Sequence, residues 1–368
     1  MSRRVALFMP SLHVGGVERC MLNLAGGLAE RGESVDLVLA RAEGSLLNHI
    51  PNGIRVLDLG AKHVSTSLPG LVSYLRHERP SALLAAKEYA SIVSLWARSL
   101  SHTQTRVLVS VHTTLSLHTR HTSNLKERLL VPFLARRLYP DADEIIAVSN
   151  GVADDLARFL NLPRPRVRVI YNGIVSPELV SAARAPLTHP WFVPGAPPVV
   201  LSVGRLTVAK DYANLIRAFA RVRRSQRARL LILGDGEQAQ ALADLVRDLQ
   251  LLEDASLPGS VDNPYPFLAR AAVFALSSIW EGLPSVLVEA LALGTPVVAT
   301  DCPNGPREIL NGGRYGRLVP VGDDRALAEA LVASLDFPPS AEQLKAFPVE
   351  RFTVHAAVEE YEQLIHAR

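Results

Sequence analysis

Only two cysteines, Cys20 and Cys302, occur in 368 residues, and they lie far apart. They supply neither a disulfide framework nor a metal-ligand spacing, which fits a reducing cytoplasm. Long apolar runs are missing as well. The opening MSRRVALFMP puts five apolar residues between Arg4 and Pro10. That run is too short for a signal peptide and far short of the roughly 20 residues that cross a bilayer. No later segment is long enough either, so a cytoplasmic protein without a spanning helix is expected. The sequence also lacks GxGxxG with an acidic residue about 20 positions on. Its first strand is followed by GGVERC, and nothing in 201–240 completes the fingerprint, which argues against a dinucleotide-dependent oxidoreductase. Internal repeats and low-complexity tracts are absent.

What remains is an ordinary globular balance, 48% hydrophobic and 20% charged. A chain of this length exceeds what one core usually serves, so two domains are expected. The net charge of +3 hides an asymmetry. Residues 1–185 carry 22 Lys and Arg against 15 Asp and Glu, or +7, and the remainder carries 17 against 21, or −4. A basic first half suits an anionic partner or membrane surface.

The pattern alternates strand and helix. Residues 4–9, 34–40, 54–59, 81–86, 106–112, 144–149 and 167–173 read as strands, with helical spacing in most of the intervals. Residues 174–198 interrupt this with six prolines. The alternation restarts at 198–204 and continues to a helix over 324–335. The fold class is therefore α/β, with two doubly wound parallel sheets. The expected boundaries are a first domain over 1–180, a linker over 181–197 and a second domain over 198–340. A C-terminal helix within 341–368 has no strand left to cover and is expected to pack back toward the first domain.

Ligands of such sheets bind at the carboxyl ends of the strands. That rule singles out several loops. Gly15 and Gly16 follow the first strand, where a backbone without side chains can approach a phosphate or sugar. His112 ends the fifth strand. In LSVGRLTVAKD, Arg205 and Lys210 place a guanidinium fork and an ammonium five positions apart before a helix, a pattern suited to a diphosphate. LGDGEQ adds Gly234 and Gly236, and LPGSVDNPYPFLARA adds Gly259. EGLPSVLVE then sets Glu281 and Glu289 eight positions apart around Gly282, Leu283 and Pro284. Proline suits a helix start, so the two carboxylates flank a helix N-terminus and can grip the hydroxyls of one elongated polar ligand.

Taken together, GGVER, VGRLTVAKD, LGDGE and EGLPSVLVEALALGTPVVATD resemble the retaining glycosyltransferases of family 4. The order and spacing match over nearly the whole chain. The resemblance implies the GT-B architecture, two Rossmann-like domains facing across a cleft. It implies transfer of a hexose or N-acetylhexosamine from a nucleotide-diphosphate sugar, most simply a UDP-sugar, to a glycan or lipid-linked acceptor. NPYPFLARA and DCPNGPREIL resemble the subgroup that builds bacterial surface and lipid-linked glycans. By the same resemblance, Gly15 and Gly16 approach the donor phosphates, and Arg205 and Lys210 hold the diphosphate so that neither metal nor cofactor is required. Glu281 with Gly282, Leu283 and Pro284 binds the donor sugar, Glu289 binds the ribose, and Gly234 lines the donor site. His112 is an orienting hydrogen-bond partner near the transferred sugar. Thr113 stands where many relatives have Asp or Asn. No carboxylate pair plays the acid and nucleophile of a retaining glycosidase. The resemblance implies front-side substitution instead, with a donor phosphate oxygen taking the acceptor proton.

Residues 123–138, from Ser123 to Leu138, read as one basic amphipathic helix. It can either lie on anionic lipid at the inner face of the membrane or pack its apolar side on the sheet. No nucleic-acid partner is indicated. The competing function class is a non-catalytic or epimerase-like GT-B protein that binds nucleotide sugar. The first would be expected to have lost Arg205, Lys210 or Glu281, and the second lacks this glutamate motif.

Overall fold

The structure is a computed structural model that describes residues 4–13, 15–122 and 124–367. It divides into two compact units, the first running to Ile174 and taking back Glu350 onward, the second spanning Val175–Val349.

The first unit contains β1 (Arg4–Met9), α1 (Gly16–Glu30), β2 (Ser34–Leu39), β3 (Arg55–Asp58), α2 (Leu68–Glu78), β4 (Ala82–Ala86) and α3 (Glu88–Ser101). These are followed by β5 (Arg106–Val111), α4 (Leu115–His121), α5 (Leu125–Leu138), β6 (Glu144–Ala147), α6 (Asn150–Leu160) and β7 (Val167–Val169). The strands form one parallel sheet in the order β3-β2-β1-β4-β5-β6-β7. A parallel sheet is covered on both faces, and β1 shows how the sequence allows it. Its alternate side chains Val5, Leu7 and Met9 enter one core with α1, while Ala6 and Phe8 enter another with α2 and α3.

The second unit contains α7 (Pro177–Ala183), β8 (Val199–Val203), α8 (Tyr212–Ser225), β9 (Arg229–Leu233), α9 (Ala239–Asp248), β10 (Ala255–Gly259) and α10 (Tyr265–Leu268). It continues with β11 (Val273–Leu276), α11 (Ser285–Ala292), β12 (Val297–Thr300), α12 (Pro306–Ile309), β13 (Arg317–Val319), α13 (Asp324–Asp336) and α14 (Ala341–Lys345). Its sheet runs β10-β9-β8-β11-β12-β13, again parallel. Leu215, Ile216, Phe219 and Val222 recur at helical spacing on α8 and are all buried against it.

Several expectations need correction. The proline-rich stretch is no free linker: α7 lies within it and α10 holds it, with Arg270 donating to the carbonyls of Ala183 and Ala185. The second unit thus begins at Val175, not near 198. Its end lies at Val349 rather than 340, so α14 belongs to it. The single terminal helix is broken around Pro348, which cannot continue a helix hydrogen-bond ladder. The chain returns to the first unit from Glu350, and there Val358, Tyr361, Leu364 and Ile365 of α15 (Val354–His366) join the core under α1. Residues 255–259, not among the expected strands, form the edge strand β10. The helix expected over 123–138 is preceded by the separate α4, and α5 starts at Leu125; Ser123 lies outside the described residues.

Candidate functional site

Each sheet reverses its strand order at one place, between β1 and β4 in the first unit and between β8 and β11 in the second. The loops that leave these strands diverge there, opening a crevice. In both units the reversal is bridged by a lysine–glutamate contact.

In the second unit, β8 leads through Gly204 to Arg205 and Lys210, and β11 leads through Ser277 to Glu281. Lys210 Nζ donates to Glu281 Oε1 at 2.6 Å, and Ser278 Oγ donates to the same oxygen at 2.6 Å. The Lys210 and Glu281 side chains are 20% and 11% exposed. The two loops are also joined by Ser277 Oγ donating to the Lys210 carbonyl at 2.7 Å and Ile279 N donating to the Ala209 carbonyl at 2.8 Å. The carboxylate and ammonium are therefore positioned before any ligand arrives. Arg205 differs: it is exposed and has no ion-pair partner among the described residues.

Backbone packing fixes the surrounding turns. Gly234 has φ +147, and a Cβ there would strike the Gly204 carbonyl, so LGDGE rests directly on the turn that presents Arg205. Gly305 has φ +92, and a Cβ there would lie 2.5 Å from Pro284 Cδ. This holds Gly282, Leu283 and Pro284, all buried, in one conformation before α11. Glu289 is half-buried in the second turn of α11. Cys302 is buried nearby, and burial together with the Glu281 charge pushes its thiol up to about 12. It stays a neutral thiol at ordinary pH and is no nucleophile.

In the first unit, Glu18 of α1 is buried and is the ion-pair partner of Lys87 Nζ. Its carboxylate occupies the space a Cβ on Gly15 would need. Lys87 precedes α3 with φ +77 and ψ 152, a conformation nearly confined to glycine. Gly16 is exposed at the start of α1. His112 follows β5, and its Nε2 lies 3.0 Å from Ser110 Oγ. Its Nδ1 is sealed from solvent and has no hydrogen-bond partner among the described residues. Burial, reinforced by the Lys87 charge, lowers the His112 pKa to about 4, so the ring is neutral at pH 7.

The candidate residues thus fall into two groups by unit: Gly15, Gly16 and His112 on the first, and Arg205, Lys210, Gly234, Glu281, Gly282, Leu283, Pro284 and Glu289 on the second. Glu18, Lys87 and Ser278 were missed from the sequence, although Glu18 stands inside the quoted GGVER and Lys87 directly follows a strand. Among the described residues no cluster of three or more His, Cys, Asp or Glu is placed to hold a metal ion. Two cations and an ordered carboxylate at a switch point suit a ligand with an anionic and a polyhydroxylated part.

Two domains of this kind define the GT-B class. HepE of Anabaena, solved with UDP and glucose, superposes with a TM-score of 0.78 over 98% of both chains at 21% identity. Residues 14–176 match the family described as Glycosyltransferase Family 4, and residues 197–336 match Glycosyl transferases group 1. A lipopolysaccharide core biosynthesis glycosyltransferase of Rhizobium meliloti, LpsE, is 30% identical over 323 residues, 86% of this chain and 84% of that protein. The N-acetylgalactosamine-N,N'-diacetylbacillosaminyl-diphospho-undecaprenol 4-alpha-N-acetylgalactosaminyltransferase of Campylobacter jejuni is 33% identical over 244 residues, 66% of this chain and 64% of that relative's length. The chain belongs to glycosyltransferase family 4, and it is a glycosyltransferase.

Proposed function

We propose that the enzyme transfers a hexose or N-acetylhexosamine, with retention and without a metal, from a UDP-sugar to a lipid-linked or surface-glycan acceptor. The observation that carries this is the Lys210–Glu281 contact at the switch point of the second sheet, with Arg205 exposed on the loop that carries Lys210 and without an ion-pair partner among the described residues. In this reading Arg205 and Lys210 hold the diphosphate, Glu281 binds hydroxyls of the donor sugar, and Glu289 binds those of the ribose. Gly234 and the buried Gly282, Leu283 and Pro284 shape the donor pocket. The Gly15 and Gly16 turn serves the donor phosphates, and His112 a hydroxyl of the transferred sugar.

The acceptor oxygen forms a bond to the anomeric carbon as the bond from that carbon to the diphosphate breaks. The acceptor proton passes to a phosphate oxygen of the departing UDP. Arg205 and Lys210 stabilise the negative charge that grows there, which removes the need for a divalent ion. Buried at about 12, the Cys302 thiol offers no competing nucleophile. Support for the substrate classes comes from HepE, solved with UDP and glucose, and from the Campylobacter relative, whose name gives a diphospho-undecaprenol substrate and an alpha linkage. An alpha product from an alpha nucleotide sugar is retention.

We further assign α5 to the cytoplasmic face of an anionic membrane. Leu125, Leu129, Leu130 and Phe133 are 65%, 63%, 45% and 66% exposed, while among the helix's described side chains only the smaller Val131 and Ala135 are buried. The arginines at 128, 136 and 137 are exposed on the same helix. A groove of about 660 Å³ beside it is lined by Trp96, Leu134 and Arg137. Large apolar groups left in water among cations match an interfacial helix. No helix among the described residues is long and apolar enough to cross a membrane.

The test is turnover against a panel of nucleotide sugars with EDTA present, with the product anomer read by NMR. A UDP-sugar giving an alpha product at undiminished rate is expected. Inversion, an absolute metal requirement, or full activity of Lys210→Ala and Glu281→Ala would each overturn the corresponding part.

A further inference from the structure

Glu18 and Lys87 meet where β1 and β4 part, the place at which the first sheet reverses its strand order. Glu18 comes from the first turn of α1, and Lys87 is the residue that follows β4. The Glu18 side chain is 7% exposed and that of Lys87 is 36% exposed, so the carboxylate is enclosed while the lysine reaches the surface. Among the described residues Glu18 is the one ion-pair partner of Lys87, which leaves ammonium hydrogens to spare. The Lys87 charge is also felt by the His112 ring after β5, so the ammonium lies toward the neighbouring strand end.

The arrangement is costly for the fold alone. Lys87 stands at φ +77 and ψ 152, strained for any residue with a side chain and easy for glycine. A buried ion pair is weak evidence of stability, because apolar residues of similar volume often replace one without loss. Strain of this kind at a switch point points to a ligand. The turn before α1 says which kind. Glu18 fills the space that a Cβ on Gly15 would need, so a phosphate brought to the Gly15–Gly16 turn meets an enclosed carboxylate. Two such anions repel unless a cation serves both, and Lys87 is already in place to do so. The second unit repeats the pattern, with Lys210 on Glu281 where β8 and β11 part.

We propose that Lys87 is a phosphate-binding residue of the first unit, neutralising Glu18 and donating its remaining hydrogens to a phosphate at the Gly15–Gly16 turn. The proposal rests on the reading of that turn as a phosphate site. Two substrates of the proposed reaction carry such a group, the nucleotide diphosphate of the donor and the diphosphate of a lipid-linked acceptor. An ammonium recognises both by the same charge-assisted hydrogen bonds.

Calorimetric titration of the whole enzyme with UDP and with farnesyl diphosphate tests this, with farnesol as the phosphate-free comparison. Lys87→Met strands the Glu18 charge, so the double variant Lys87→Met, Glu18→Gln removes both charges together, and its thermal midpoint reports on the fold. Both variants should bind one of the two phosphate ligands at least about tenfold more weakly, the loss of one charge-assisted hydrogen bond, with farnesol unaffected. A weaker UDP complex assigns the phosphate to the donor, and a weaker farnesyl diphosphate complex assigns it to the acceptor. Lys87→Arg should keep most of the affinity. Glu18→Gln alone should bind that ligand at least as tightly as wild type, because the competing carboxylate is gone. Unchanged affinity for both ligands in the folded double variant overturns the proposal. So does an equal loss in Glu18→Gln and Lys87→Met, which would make the pair purely structural, or a parallel loss of farnesol. Lys210→Met separates this from the donor reading. UDP affinity that falls there, while the Lys87 variants bind both ligands normally, overturns the role of Lys87 and leaves the donor site standing.

Discussion

Lys210 and Glu281 meet at 2.6 Å from loops that leave different strands, 71 residues apart in sequence. Because Ser278 donates to the same carboxylate oxygen, removing Lys210 leaves Glu281 oriented but unneutralised in a mostly buried position. Breaking such a pair is expected to destabilise the second unit by about 2 kcal/mol. Lys210→Met and Glu281→Gln should each lower kcat/KM by about 10²–10³, the usual loss for one group that stabilises a transition state. Steady-state kinetics of the two single variants and the double variant check this. The double variant should lose much less than the product of the single losses, since groups in contact are not additive. Independent, multiplicative losses would mean that the two residues do not act as a unit.

The turn glycines give a second, purely structural expectation. Gly234→Ala forces an L residue to φ +147 and drives a methyl into the Gly204 carbonyl. Gly305→Ala does the same at φ +92 against Pro284. Each should cost about 2–4 kcal/mol by urea denaturation, combining backbone strain with overpacking. Gly294→Ala is the control, since Gly294 has φ +77 but nothing within 4 Å of the added methyl. Its cost should stay near about 1 kcal/mol, the backbone term alone. Equal losses at all three positions would show that contact with the neighbouring turn contributes nothing.

The alternation of strands and helices was legible because both sheets are buried on two faces, which makes each strand a short apolar run such as RVALFM or RLLIL. β10 was not legible: ASLPG contains proline and glycine and pairs only along one side. Neither was the break in the terminal segment, where helical spacing continues across Pro348. Arg205, Lys210, Glu281 and Glu289 could be picked out by motif, but their contacts could not. The pairing of Glu18 with Lys87 spans 69 residues, and that of Ser110 with Tyr361 spans 251. No local pattern marks Tyr361, which in the sequence is one more apolar position of an amphipathic helix. Lys87 offers no sign of its φ of +77, since the strain is imposed by what packs around it.

His112 carries a pH signature. Its pKa falls from the ordinary 6.5 to about 4 on folding, first through burial and then through the Lys87 charge. Between those values the unfolded chain binds a proton that the folded chain refuses. Stability is therefore fully present above pH 6.5 and is lost as pH falls toward 4, at no more than about 1.4 kcal/mol per pH unit. The whole window amounts to about 2–3 kcal/mol. Urea denaturation of the wild type and His112→Asn at pH 7 and at pH 4.5 isolates it, because the carboxylates titrate equally in both. The variant should lose less stability than the wild type on acidification. A parallel loss would mean that the ring is protonated in the folded state.

The exposed side of α5 makes the last prediction, and it separates the two readings that the sequence left open. If the apolar groups of this helix served only the fold, they would be buried, yet Leu129 and Phe133 stand 63% and 66% exposed. Replacing both with serine should therefore leave the thermal midpoint within about 2 °C, since exposed positions contribute little to stability. Binding to vesicles containing anionic lipid should fall sharply, because each side chain inserted into the acyl boundary is worth about 1.5–3 kcal/mol. The arginines at 128, 136 and 137 add about 1 kcal/mol each near an anionic surface. Their replacement by glutamine should weaken binding most at low salt, where screening is least. Co-sedimentation at low and high ionic strength, with neutral vesicles as the comparison, measures both contributions. Equal binding of wild type and the Leu129, Phe133 double variant to anionic vesicles would remove α5 from the membrane. A fall in thermal midpoint of many degrees would show instead that the two side chains belong to the core.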